Sequence, residues 1–156
     1  MHLSELGGLQ KLAVSQHGVV TRTQLRGLGA SHAQIDSQLD ARRWSQPAPA
    51  IVLLHNHVPT REQWAWIALL DAGPVSALCS HSSLELHGMK SFAKEASSIH
   101  VIVPRGAKVT KLPNVEVHES RRFAATDKRW QGGFPCLDVR ARQSMRQRGS
   151  HIRVSR

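Results

Sequence analysis

The stretch Thr21–Trp44, TRTQLRGLGASHAQIDSQLDARRW, decides how this chain is read. The Thr21 hydroxyl can accept from the unpaired amides of a first helical turn, so Thr21 is expected to cap a short helix running to Leu28. Gly27 and Gly29 stop that helix, and Gly29 supplies the backbone freedom that a helix exit needs. Ser31 then caps a second helix, expected from His32 to about Arg43. Two helices joined by a tight turn holding a glycine form the helix-turn-helix pattern.

In the second helix Ile35 and Leu39 lie four residues apart and mark the buried stripe, with Ala33 and Trp44 as flanks. His32, Gln34, Ser37, Gln38 and Arg42 fall mostly outside it. Imidazole, amide and hydroxyl groups exchange hydrogen bonds with base edges in a major groove, and the start of a recognition helix reaches deepest. An amphipathic helix pair with a solvated polar face accounts for the same stretch, so this segment alone leaves DNA reading and plain packing open.

Upstream, Leu9, Leu12 and Ala13 recur at helical spacing, which predicts a helix over Leu6–Gln16 with Gly18 as its stop. Val19 and Val20 form an extended link that can add a strand edge to whatever follows. Downstream, Pro47 and Pro49 exclude helix, and the apolar run Ile51–Leu54 reads as a strand. The expected result is a hairpin with a proline-held loop. A hairpin directly after a recognition helix makes a winged helix-turn-helix, with Arg42 and Arg43 at the base of the wing near the phosphates. A plain linker into a new domain is the competing reading. Thr21, Ser31, His32, Gln34, Ser37, Gln38, Arg42 and Arg43 are thus the candidate DNA-contacting residues.

His55–Pro59 is the expected domain boundary. Beyond it Thr60 caps the helix REQWAWIALLDAG, whose Trp64, Trp66, Ile67, Leu69 and Leu70 point around more than half its circumference. Its tryptophans therefore read as core. Ser80 is expected to cap a short helix from His81. Ser98–Pro104, SIHVIVP, runs apolar as a well-covered strand does, and Val115–His118 is expected to pair with it across the turn-rich RGAKVTKLPN. Ala125–Arg129 reads as one more helical turn. The fold expected is α/β (α+β): a winged helix-turn-helix over residues 1–56, a small mixed α/β domain over 57–137, and a basic disordered tail over 138–156. The tail's apolar residues fit neither structural period, so it is expected to be dispensable for folding while attracting phosphates non-specifically.

The chain has 156 residues, 40% hydrophobic and 21% charged, which suits a globular protein of one ordinary or two small domains. Its longest apolar runs are far too short to cross a bilayer and the N-terminus lacks the features of a signal peptide, so a cytoplasmic protein is expected. Cys79 and Cys136 have no CxxC partner and are expected to be reduced. The net charge of +10 invites a nucleic-acid partner, but residues 121–156 hold ten Lys or Arg against two Asp or Glu, leaving +2 for residues 1–120.

Ten histidines raise the question of a metal. His55 and His57 lie two apart, His81 and His87 six apart, and His100 and His118 on neighbouring strands. None shows the i, i+4 helical pairing or a carboxylate at ligand spacing, so no metal is expected. Ser80-His81-Ser82 carries no nucleophile and base pair, because adjacent helical residues point in different directions. No glycine-rich loop with a following Lys-Ser or Lys-Thr occurs, and after residue 95 there is no Asp with the Glu-x-Lys or Asp-x-Lys partner that a metal-dependent nuclease needs to hold its cation. Neither a cofactor nor a catalytic activity is expected.

LAVSQHGVVTRTQLRGLGAS, IDSQLDARRW, TREQWAWIALLDAGPVSALCSHSSLELHG, IHVIVPR and VEVHESRR, taken in order, closely resemble the N-terminal part of actinobacterial AbiEi-type antitoxin proteins over about residues 9–136. The resemblance implies a winged-helix DNA-binding domain, a following α/β domain, and the role of an antitoxin and autorepressor beside a nucleotidyltransferase-like toxin. Where the family's recognition helix carries arginines, this chain has His32, Ala33, Ser37, Gln38 and Asp40, which implies low DNA affinity. Many longer members also carry a C-terminal Vsr-like endonuclease domain, for which this chain has no room. After Gly132–Cys136 the arginine-rich end departs from the family, as a truncated or out-of-frame end would. The reading that follows is a sequence-specific regulator binding double-stranded DNA. The alternative is a protein-interaction antitoxin with weak or no DNA binding, and a third reading is the remnant of an enzyme.

Overall fold

A computed structural model of the chain describes residues 6–79, 98–131, 133–137 and 153–155. It is an α+β protein that divides into two compact units, Met1–Asp71 and Ala72–Arg156. The helix expected after Ser80 and residues 138–152 lie outside the described residues. Among the described residues no helix is long and apolar enough to cross a membrane.

The first unit runs α1 (Leu9–Ser15), β1 (Val19–Thr21), α2 (Arg22–Gly27), α3 (His32–Asp40), β2 (Ser45–Ala48) and β3 (Ile51–Leu53), followed by α4 (Arg61–Ala72). The three strands form an antiparallel sheet in the order β1-β3-β2. The Val19–Val20 link is thus a strand, with Val20 opposite Val52. Pro47 sits in β2, an edge strand, where its missing N–H costs no central ladder bond. Leu6, Leu9, Val20, Leu25, Ala30, Ile35 and Val52 form one buried cluster, against which Leu12, Leu28, Leu39, Trp44 and Leu54 pack. Burying a side chain such as Ile35 completely contributes about 2 kcal/mol.

The compact unit that begins the chain extends to Asp71 and so takes in nearly all of α4. Thr60 and Gln63 cap the first turn of α4 reciprocally, at 2.9 and 3.3 Å. The Gln63 amide nitrogen also donates to the His17 carbonyl at 2.9 Å, tying α4 to the end of α1. Trp66, as its spacing predicts, is buried, with Ala65, Ile67, Ala68 and Leu69.

The second unit holds β4 (Ala77–Leu78), β5 (Ile99–Pro104), β6 (Val115–Ser120), a 3-10 turn at Ala125–Asp127, β7 (Lys128–Gln131), β8 (Phe134–Leu137) and β9 (Arg153–Ser155). They build one mixed sheet in the order β7-β8-β4-β5-β6-β9. β5 and β6 pair as expected but run parallel, with Ile99 opposite Val115 and Pro104 opposite Ser120, so RGAKVTKLPN is a crossover and not a hairpin loop. Only the start of the expected Ala125–Arg129 turn is helical; Lys128 already begins β7. Arg153–Ser155, expected within a disordered tail, form the edge strand β9 antiparallel to β6. Cys79 and Cys136 are buried thiols.

Candidate nucleic-acid interface

The two helices of the opening stretch are closed by matching devices. The Thr21 Oγ accepts from the Gln24 N–H at 3.0 Å, and Gln24 Oε1 accepts from the Thr21 N–H at 2.9 Å. Ser31 and Gln34 repeat the arrangement at the start of α3, at 3.1 and 2.9 Å. Each is a capping box, which satisfies two orphan donors of a helix start. Gly29, at φ +105°, makes the turn between them in the left-handed region. Of the candidate DNA-contacting residues, Thr21 and Ser31 are therefore caps, and the carbonyl oxygen of Gln34 is held by its own helix.

The exit of α3 lies closer than the spacing predicts. The helix stops at Asp40, because Arg42 takes a left-handed φ of +54°. The Arg42 N–H donates to the Leu39 carbonyl at 3.0 Å and the Arg43 N–H to the Gln38 carbonyl at 3.1 Å. This is the Schellman closure, with an arginine where glycine is favoured. The Arg42 carbonyl in turn accepts from Asn56 Nδ2 at 2.7 Å, which ties the helix exit to the segment after the hairpin.

The remaining candidates sort along α3. His32 and Ser37 are exposed, Gln38 is half-buried, and Arg42 and Arg43 are exposed. At 1.5 Å rise per residue the helix from His32 to Asp40 spans roughly 12 Å, with Arg42 just beyond its end. The arrangement thus puts hydrogen-bonding groups along the helix and paired cations at its far end. Between Ser31 and Ala41 the helix carries no Lys or Arg and two carboxylates, Asp36 and Asp40.

Arg22 is the residue that the spacing of the sequence does not reveal. Its guanidinium meets Asp36 Oδ1 at 2.9 Å and reaches Gln46 Oε1 at 3.4 Å. The Gln46 amide donates to the Pro49 carbonyl at 2.6 Å, and the Arg22 N–H donates to the Ala50 carbonyl at 2.9 Å. One side chain thereby links the start of α2, the middle of α3 and the hairpin, while offsetting the charge of one α3 carboxylate. Arg22 and Asp36 are fourteen positions apart, so no local pattern signals the pair.

No family model and no curated protein matches the chain.

Proposed function

We propose that the protein is a sequence-specific regulator that binds double-stranded DNA, an antitoxin-like autorepressor of its own operon that performs no chemistry. The observation that carries this reading is the element order α1-β1-α2-α3-β2-β3 closed by the sheet β1-β3-β2, with α3 packed on the core through Ile35 and Leu39. A winged helix-turn-helix has this order, its third helix being the one that enters the major groove. In this reading His32, Ser37 and Gln38 face base edges, Arg42 and Arg43 hold phosphates, and the β2–β3 hairpin is the wing. Thr21, Ser31 and Gln34 set the helix starts that position them.

A specific observation favours a second reading, a protein-interaction antitoxin that holds a nucleotidyltransferase-like toxin with little DNA binding. It is the absence of Lys and Arg from α3 together with Asp40 on its exposed side. Footprinting on the gene's own upstream region separates the two. Protection of a discrete site that survives excess random DNA supports the regulator; protection that random DNA abolishes favours the interaction module.

A further inference from the structure

In the parallel register of β5 and β6, His100 lies opposite Glu116, and Ile102 opposite His118. Alternate residues of a strand share a face, so His100, Glu116 and His118 project from the same side of the sheet. Ile102 projects there as well and packs into a cluster with Ala77, Cys79, Phe123 and Leu137, and both imidazoles are buried. His100 Nδ1 stands 2.9 Å from His118 Nε2 and 3.6 Å from Glu116 Oε2, and one ligand atom from each residue lies within 4.8 Å of the others. Glu116 remains 48% exposed, so the group opens to solvent on one side.

We propose that His100 Nδ1, His118 Nε2 and a Glu116 carboxylate oxygen form a binding site for a divalent transition ion of the Zn2+ class. Two imidazoles and one carboxylate are the donor set that such an ion takes, whereas Mg2+ and Ca2+ take oxygen ligands. Zinc bonds of about 2.0 to 2.1 Å in a tetrahedron place neighbouring ligand atoms about 3.3 Å apart, so the imidazole pair needs to open by only about 0.4 Å. The ion replaces the proton that the two nitrogens share at 2.9 Å. A water completes the shell on the side of the exposed Glu116, and the ion pins together two strands whose connection is a ten-residue crossover from Arg105 to Asn114. Glu116 and His118, two apart, share a face only once the strand is formed, and their partner His100 is supplied only by the parallel register.

Isothermal titration of the chelator-treated full chain with ZnCl2 tests the site, with melting temperature as a second readout. The wild type is expected to take up one equivalent and to melt higher when loaded. Glu116→Gln changes an exposed side chain and leaves the fold intact, yet should weaken that equivalent by at least about tenfold, the loss that even an outer-shell partner costs. His57→Gln, in the other unit, should bind as the wild type does. Absence of saturable uptake by the wild type overturns the proposal and leaves a hydrogen-bonded imidazole pair. Glu116→Gln affinity within about threefold of wild type, below the outer-shell range, overturns it too and places any bound ion elsewhere.

Discussion

Ser31→Ala and Gln34→Ala together separate capping from base reading at the start of α3. Ser31→Ala removes the acceptor of the 3.1 Å bond from the Gln34 N–H and should cost about 1 kcal/mol, the usual loss for an N-cap. Gln34→Ala removes the acceptor of the 2.9 Å bond from the Ser31 N–H, also about 1 kcal/mol. Alanine returns a few tenths of that through its higher helix propensity, so the net loss is roughly 0.5 kcal/mol. Because the two residues share one capping box their losses couple, and the double variant should lose about 1 to 2 kcal/mol. Urea unfolding with an unchanged m value measures this directly. DNA affinity of either variant should fall alike on specific and random sequences, because the damage is to the helix start. A double variant that loses under about 0.5 kcal/mol would refute the reasoning, since at least one of these bonds would then contribute nothing to the helix start.

Arg42→Gly should stabilise the chain by about 1 kcal/mol, because glycine takes the left-handed conformation without strain, and should lower the salt slope of DNA binding by about one unit through the lost phosphate contact. Urea unfolding and titration at several salt concentrations check the two halves. Trp66→Ala, at a site 5% exposed, should cost roughly 3 to 5 kcal/mol by urea unfolding; a smaller loss accompanied by lost DNA binding would make Trp66 a contact residue. Deleting residues 138–156 removes β9 from the edge of β6 and should cost about 1 to 3 kcal/mol, a few ladder hydrogen bonds at about 1 kcal/mol each, with the change read as a lower melting temperature.

The first unit is legible where its signals are local. Thr21, Ser31 and Thr60 are each followed three residues on by a glutamine, and all three positions are capped in the way that spacing predicts. The extended Val19–Val20 link and the run from Ile51 likewise become paired strands. What local pattern does not carry is set by tertiary partners. Arg42 ends α3 early by taking the left-handed conformation that glycine favours, so its residue type does not signal the helix end. The three residues of β9 have no periodicity to read; β6 makes them a strand. The direction of β6 relative to β5 depends on a crossover that looks like a hairpin loop, and with it goes the meeting of His100 and His118. In the candidate interface, residue types mark which side chains could read bases, but only the bonds made by Gln34 and Arg22 distinguish groups already engaged within the fold.

The measurement that bears most directly on the DNA-binding proposal is a fluorescence-anisotropy titration of the full chain. It compares a duplex from the gene's own upstream region with a scrambled duplex of the same composition, at one fixed salt concentration. The proposal predicts a preference of at least about a thousandfold for the upstream duplex, and a tenfold or greater loss of that preference in Gln38→Ala. Equal affinity for the two duplexes, unchanged by Gln38→Ala, would contradict it.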